Sequence, residues 1–354
     1  MGKVVLALLA SLVGYLLLWP VDITPQLWQP PQPPAAEGIY APNTALNAAE
    51  RRFAEIGHGG EAVAIDPQGL LYTGLLDGRL MRLDPATGLS QELVNTGGRP
   101  LGLKFAPDGR LLIADALKGL LAWDGSQVQV LADQFQGAPL RFADDLAISK
   151  AGLVYFSDAS TRFGIDEVMA EAFEHAPNGR VLAYDLNTGQ LREVLGGLYF
   201  ANGVALSAEE DFLLVNETTR YRIRRLWLQG PQAGKDEVLI ENLPGFPDNI
   251  TLSPRGSYWV ALYGPRSPML DELLPRPFLR TMAWRLPAAL QPHPPRIARV
   301  LELDAQGKVL RSLEGHGPDV YAPITSALEW EGHLWLGSLS DAGLGYWPLP
   351  DVAP

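Results

Sequence analysis

Short apolar segments recur along the chain, and four of the six are opened by a carboxylate or an amide. Each is followed by a turn signal such as PDG or PRG and then by a second apolar segment such as LLIAD or YWVALYG. A unit of about 40 to 50 residues with several short strands is typical of a β-propeller blade. The six segments are EAVAID from Glu61, LGLKFA from Leu101, DDLAIS from Asp144, NGVALS from Asn202, DNITLS from Asp248 and TSALEW from Thr325. The pattern predicts an all-β, six-bladed β-propeller.

Four strands are expected in each blade. The first unit supplies EAVAID, LLYTGL, RLMRLD and SQELV, separated by PQG, DG and PATG turns. The sixth unit offers only three strands, so its outer strand is expected from residues 51–56, which precede the first repeat. That pairing would join the two ends of the ring and remove a free edge. The propeller is predicted to span residues 48–350.

An apolar segment begins the chain. After Lys3, residues 4–19 are apolar or small, and as a helix they would rise about 24 Å, between a signal-peptide core and a full membrane span. The segment ends at Trp19 and Pro20, with no small-residue cleavage site close behind. We interpret residues 1–19 as a hydrophobic signal-anchor helix, with a cleaved signal peptide and a buried helix as alternatives.

The flanks of this segment predict an orientation. If Lys3 stays in the cytoplasm, the propeller lies on the non-cytoplasmic side of a membrane, which is periplasmic, luminal or extracellular. Residues 20–47, with the sequence PQLWQPPQPPAAEG inside them, are predicted to be a proline-rich linker between the anchor and the propeller.

Charge and cysteine content exclude several kinds of site. The chain carries 40 acidic and 28 basic residues, a net charge of −12, which would repel a nucleic-acid backbone. It has no cysteine, which rules out disulfides, a thiolate nucleophile and thiolate metal ligands. Nucleic acid is therefore not an expected partner.

Strand order predicts which loops surround the site. In an antiparallel blade, the loop between the second and third strands lies on the face where the first strand begins. Two such loops are enlarged, residues 160–179 in the third unit and residues 265–295 in the fifth. Both should overhang the face where the polar openings lie. The second is apolar enough for a hydrophobic lid or a membrane-touching flap, with a helix packed on the disc as the alternative.

The polar openings of the inner strands are candidate metal ligands. They are all hard oxygen donors, a set that suits Ca²⁺, and converging carboxylates need a counter-ion. Individually, such residues also cap strands and bind turn amides, which is the alternative interpretation. The residues concerned are Glu61, Asp144, Asp145, Asn202, Asp248 and Asn249.

The chain resembles the strictosidine synthase-like branch of the six-bladed propellers. The resemblance rests on GLYFANGVALSAEEDFLLVNETTRYRIRRLWL, VLIENLPGFPDNITLSPRGSYWVAL, VYFSDAS and GRVLAYDLNTG, and it covers most of residues 59–345. The wider superfamily includes gluconolactonases of the senescence-marker-protein (regucalcin) type, paraoxonases and phosphotriesterases. In these proteins a central Ca²⁺ is held by Glu, Asn, Asn and Asp at the openings of blades 1, 3, 4 and 5.

The resemblance implies a ligand set in this chain. The calcium ligands would be Glu61, Asp144, Asn202 and Asp248, with Asp144 standing where an Asn is usual. Asn249 would be a further ligand or would support one, as would Asp145.

The resemblance also implies an activity, the calcium-dependent hydrolysis of lactones or aryl esters. Asp248 or Asp145 would activate the attacking water, and His58 and His175 are candidates for acid–base help. Strictosidine synthase activity is not expected, because the stretch at residues 321–326 lacks the glutamate on which that reaction depends. The other class of function is a membrane-tethered binding module in which Ca²⁺ only stiffens the ring.

Overall fold

A computed structural model describes residues 2–287 and 295–350, and it forms a six-bladed β-propeller. Six antiparallel sheets of four strands each make up the ring, as the repeat predicts. In chain order the strands are Ala64–Ile65, Leu71–Gly74, Arg79–Leu83 and Ser90–Asn95 in blade 1; Pro100–Phe105, Leu111–Asp115, Gly119–Trp123 and Val128–Ala132 in blade 2; Ala143–Ile148, Leu153–Asp158, Gly179–Asp185 and Leu191–Leu198 in blade 3; Ala201–Leu206, Phe212–Glu217, Arg222–Trp227 and Asp236–Ile240 in blade 4; Gly245–Leu252, Tyr258–Pro265, Ile297–Leu303 and Val309–His316 in blade 5; and Ser326–Trp330, His333–Gly337 and Leu344–Pro348 in blade 6. A hairpin of Gln134–Phe135 with Ala138–Pro139 links blades 2 and 3.

Blade 6 is completed by the strand Glu50–Arg52, which pairs with Leu344–Pro348 and so joins the two ends of the ring. The sequence predicted residues 51–56 for this role. The strand ends earlier because Phe53 adopts a left-handed backbone conformation (φ 58°) and Ala54–Ile56 turns into a 3₁₀-helix.

The buried strands pack their apolar side chains against both neighbouring blades. Trp259 of blade 5 and Leu334 of blade 6 share one such cluster, and Leu112 of blade 2 and Phe156 of blade 3 share another. This explains the nearly continuous apolar runs of the inner strands, since a sheet between two other sheets is covered on both faces.

The chain begins with helix α1, Gly2–Leu18. Its C-terminal end is fixed to the second insertion: the Tyr15 hydroxyl donates to the Arg285 carbonyl (2.7 Å), and the Arg285 guanidinium donates to the carbonyls of Leu16 (2.7 Å) and Trp19 (2.6 Å). Within residues 2–287 and 295–350, no helix has both the length and the apolar character needed to cross a membrane.

Three short helices form a lid from the two insertions. Helix α2, Val168–Glu174, follows a 3₁₀-helix at Ile165–Glu167, and helices α3, Pro268–Leu273, and α4, Pro277–Trp284, belong to the second insertion. Apolar side chains of both insertions share one buried cluster, so the insertions meet on the same face. Residues 288–294 of the second insertion lie outside the described part of the chain.

Residues 21–32, here called the strap, run across this lid. The backbone N–H groups of Thr24 and Gln26 donate to Glu174, at its Oε2 (2.7 Å) and its carbonyl (2.8 Å), and that of Trp28 donates to the Leu274 carbonyl (3.3 Å). Farther along, Arg266 donates to the Pro31 carbonyl (2.7 Å). Part of the proline-rich segment is thus packed on the propeller.

Candidate functional site

The polar openings of blades 3, 4 and 5 all lie at irregularities of strand pairing. The register of the inner strand shifts between Ala143 and Leu146, between Ala201 and Val204, and between Pro247 and Ile250. Such irregularities bend a strand and redirect its side chains. They fall on Asp144 and Asp145, on Asn202, and on Asp248 and Asn249, which is how two successive polar residues fit into a buried strand.

Neighbouring blades hold the backbone of these openings in place. The Glu61 carbonyl of blade 1 accepts hydrogen bonds from Ser326 Oγ (2.5 Å) and Thr325 Oγ1 (3.2 Å) at the start of blade 6. The Asp248 carbonyl of blade 5 accepts one from Asn216 Nδ2 of blade 4 (2.5 Å). A Cβ atom added to Gly203 would lie 2.5 Å from the same carbonyl, so glycine is needed for this close approach.

Five side-chain oxygens at these openings are buried and have no hydrogen-bond partner. Their residues are between 2 and 4% exposed. An unpaired buried polar atom is costly, so five of them at the openings of four blades indicate a missing partner that accepts oxygen ligands. The atoms are Glu61 Oε2, Asp144 Oδ1, Asn202 Oδ1, Asp248 Oδ1 and Asn249 Oδ1.

Burial and mutual repulsion raise the pKa values of the carboxyl groups. Burial, with repulsion from Asp145, raises the pKa of Glu61 to about 7 against the opposing charge of Arg99. The pKa of Asp144 is well above its usual value through burial and the charges of Glu61, Asp248 and Asp145, and that of Asp248 through burial and Glu61. A cation at this centre would remove the repulsion and let the carboxyl groups ionise.

The donor set at this centre is mixed. In the part of the chain that the structure describes, no three His, Cys, Asp or Glu side chains are placed to hold a metal ion by themselves. The amide oxygens of Asn202 and Asn249 belong to the same set of unpaired atoms as the carboxylates. Carboxylate and amide oxygens together fit a hard cation such as Ca²⁺, so the residues present are compatible with the implied ion.

Asp145 has a different environment from the other acidic residues of the centre. Its Oδ1 accepts the N–H of Leu146 (2.8 Å) and its Oδ2 accepts the N–H of Val204 in blade 4 (3.0 Å). Burial raises its pKa to about 6. The side chain therefore connects the irregular strands of blades 3 and 4.

Arg99 is a charged residue at this site that the sequence did not single out. It precedes the inner strand of blade 2 and is 4% exposed, and it acts electrostatically on Glu61 and Asp144. The repeat does not reveal it, because the segment of blade 2 opens with Leu101 and Arg99 lies two residues before that segment. A charged residue just before an otherwise apolar inner strand is the signal that could have found it.

An apolar wall lies beside Arg99. Leu101, Phe142 and Phe200 are buried together at the openings of blades 2, 3 and 4, and the two rings meet edge to face with centroids 5.5 Å apart. Ile165 and Val168 of the first insertion pack on this wall. The first insertion therefore lies on the face where the inner strands begin, as the strand order predicted.

The two candidate histidines have contrasting positions. His58 is exposed at the seam of blades 6 and 1, where its backbone pairs with Ala342; within the described residues its ring makes no hydrogen bond or ion pair. His175 is buried below the strap and stacks on Trp28, with ring centroids 4.5 Å apart. Burial and the positive charges of Arg220, Arg280 and Arg222 lower the pKa of His175 to about 2, so its imidazole is neutral.

Comparison with known proteins places the chain in a family. The strictosidine synthase model matches residues 144–231, and the model of the strictosidine synthase-like N-terminal region matches residues 38–83. The adipocyte plasma membrane-associated protein of Rattus norvegicus is 35% identical over 359 residues, which cover 94% of this chain and 94% of the relative. The chain belongs to this strictosidine synthase-like family. The family resemblance predicted from the sequence is thereby confirmed.

Solved structures of more distant proteins share the propeller. A gluconolactonase from Xanthomonas campestris has a TM-score of 0.58 at 16% identity and covers 82% of this chain and 85% of its own. A calcium-binding protein, regucalcin, from Agrobacterium tumefaciens has a TM-score of 0.59 at 17% identity and covers 86% and 98%. At these identities the likeness shows the fold alone, which is the β-propeller.

Proposed function

We propose that this family member is a calcium-dependent hydrolase of lactones or aryl esters. The observation that carries the proposal is the set of five buried, unpaired oxygens at the openings of blades 1, 3, 4 and 5. The propellers of similar fold support it, since one is a gluconolactonase and another a calcium-binding protein. Glu61, Asp144, Asn202 and Asp248 would hold the ion, with Asn249 as a further ligand.

Bound calcium would supply an electrophile for the carbonyl oxygen and for the negative charge that develops on it. Asp248 is the better of the two candidate bases, because its Oδ1 is unpaired, whereas both oxygens of Asp145 already accept backbone N–H groups. Asp145 would then keep blades 3 and 4 in register beside the ion. His175 would reach a substrate only if the strap moved away from it.

The closed mouth favours a second candidate, a calcium-stabilised binding module without catalysis. The centre is buried, the first insertion packs on the apolar wall at the same openings, and the strap packs over both insertions. A hydrolase must open this cover in each cycle, whereas a structural calcium site need not. The two functions therefore differ in whether a small ester can reach the ion.

Turnover in the presence and absence of a chelator separates these functions. The purified full chain in detergent should hydrolyse phenyl acetate or a short lactone with added Ca²⁺, and the rate should fall at least about 10²-fold with a chelator and recover with Ca²⁺. Turnover that ignores the chelator would contradict the proposal. Stabilisation by Ca²⁺ without any turnover would favour the binding module.

We also propose that α1 attaches the protein to a membrane, with the propeller on the non-cytoplasmic side. The name of the rat relative supports membrane association. Exposed apolar side chains on the lid, Met269 and Phe278 among them, lie on the propeller face to which α1 is fixed. The anchored mouth would then face the lipid surface.

Charges in α1 should release the protein from membranes. Replacing Leu8 and Leu9 with Asp should move the full chain from the membrane fraction to the soluble fraction, since each acidic residue costs about 3 kcal/mol at the centre of a membrane helix. Leu89→Asp, at an exposed leucine before an outer strand of blade 1, is the control and should stay membrane-bound. Unchanged fractionation of the double variant would exclude α1 as the anchor. Protection of the propeller from added protease in sealed vesicles shows on which side of the membrane it lies.

A further inference from the structure

The guanidinium of Arg99 is buried but only partly paired. Its Nη1 donates to the Gly59 carbonyl (2.9 Å) and, at longer range, to that of Pro100 (3.5 Å). Its Nε and Nη2 are inaccessible to solvent and have no hydrogen-bond partner. Nε–H and one Nη2–H point from the same edge of the planar group, the edge that binds a carboxylate through two parallel hydrogen bonds.

The acidic residues around Arg99 do not fill this edge. Among the described residues, no Asp or Glu oxygen lies within 4.0 Å of its guanidinium nitrogens. Asp115 accepts the backbone N–H of Arg99 (2.8 Å), but its carboxylate is occupied by the N–H groups of Leu117 and Lys118 and by the Thr96 hydroxyl. Glu61 and Asp144 act on Arg99 electrostatically from farther away. The free edge therefore needs an acceptor from outside the chain.

The surroundings of this edge restrict the acceptor. The wall of Leu101, Phe142 and Phe200 begins two residues after Arg99, and Leu339 packs on that wall. A ligand here meets one cation beside an apolar surface. The negative charges of Glu61 and Asp144 also act on Arg99 and would repel a bound anion. A carboxylate with one charge is therefore favoured over a phosphate with two.

We propose that Arg99 is a substrate-binding residue that holds the carboxylate of an amphipathic ester or lactone, with the apolar body of that substrate on the wall of Leu101, Phe142 and Phe200. The proposal rests on the proposed hydrolase function and names its substrate class. Arg99 is predicted to set specificity, whereas the oxygens of blades 1, 3, 4 and 5 carry the reaction.

Paired substrates test the role of Arg99. Phenyl acetate and 4-acetoxybenzoate share the acetyl group and differ by one carboxylate on the ring. In the full chain with Ca²⁺, Arg99→Met should raise KM for 4-acetoxybenzoate at least about tenfold and change KM for phenyl acetate less than about twofold. Arg99→Lys, which keeps the charge but loses the two-pronged edge, should fall between wild type and Arg99→Met. Equal losses on both substrates would show that Arg99 only balances the charge of Glu61 and Asp144.

Direct binding keeps this test independent of turnover. The product 4-hydroxybenzoate should bind the wild type and lose at least about tenfold in affinity in Arg99→Met, as measured by calorimetry. Arg110→Met removes the same charge from an exposed turn of blade 2, where Arg110 pairs with Asp108, and should leave binding unchanged. If no ester is turned over, the hydrolase proposal fails while this titration still decides the carboxylate site. If Arg99→Met does not melt cooperatively, the titration with 4-hydroxybenzoate is made on Arg99→Lys instead. An affinity of Arg99→Lys equal to that of the wild type would overturn the proposal.

Discussion

Asp248→Asn should remove most of the stabilisation that calcium gives the protein. Without Ca²⁺ the variant is expected to melt no lower than the wild type, because asparagine replaces a buried carboxyl group whose ionisation is opposed by burial and by Glu61. With Ca²⁺ the wild type should gain about 2.7 kcal/mol at a concentration 100 times the dissociation constant, and the variant should gain little. The two melting curves should therefore change order when Ca²⁺ is added.

Turnover should fall in the same variant, by about 10²-fold or more, because Asp248 is both a ligand and the better candidate base. Differential scanning calorimetry with and without a chelator measures the first effect and ester hydrolysis the second. Asp319→Asn removes one negative charge from an exposed loop before blade 6 and serves as the matched control. A calcium response in Asp248→Asn equal to that of the wild type would exclude Asp248 as a ligand.

The ring itself could be predicted from the sequence because its signals are local. Each inner strand is an apolar run between turn residues, and the run repeats at a fixed spacing. The closing strand was predicted only in part, since Arg51 and Arg52 pair with blade 6 but the prediction left out Glu50 and extended to Ile56. Its end depends on the left-handed conformation of Phe53, which the sequence pattern does not reveal.

The candidate ligands could be listed from the sequence, but their separate environments could not. Asp144 and Asp145 are adjacent acidic residues and looked alike in the repeat. The irregular pairing between Ala143 and Leu146 gives them different roles: Asp144 has an unpaired oxygen at the centre, and Asp145 binds the backbone of blade 4. That difference depends on how the inner strand pairs with its neighbour, which the sequence of the strand alone does not determine.

The strap shows where composition is a poor guide to packing. The proline-rich stretch before the ring favours an extended chain, and its composition predicts a linker. Ile23 and Trp28 instead pack with the lid, Ile23 beside Phe173 and Trp28 on His175. Such contacts join residues about 150 positions apart and follow from the folded ring rather than from any local pattern.

Arg280→Met should release the strap while leaving the ring folded. Arg280 is 0% exposed, and its guanidinium donates to the Phe173 carbonyl (2.8 Å) at the end of α2 and to the Gln26 carbonyl of the strap. A hydrogen bond from a charged group is worth about 1.5 to 3 kcal/mol, so losing both should lower the free energy of local opening by about 3 kcal/mol. Methionine keeps much of the apolar contact of the side chain.

Hydrogen exchange measures this opening at three amides of the strap. The N–H groups of Thr24, Gln26 and Trp28 should lose about 10²-fold in protection, while the inner strands keep theirs. Arg276→Met changes an exposed arginine one turn earlier at the same helix and should leave protection unaltered. Equal protection in wild type and Arg280→Met would mean that other contacts hold the strap.

If the strap opens as expected, His175 loses its cover. Faster turnover of bulky esters in Arg280→Met would then identify strap opening as the step that admits substrate.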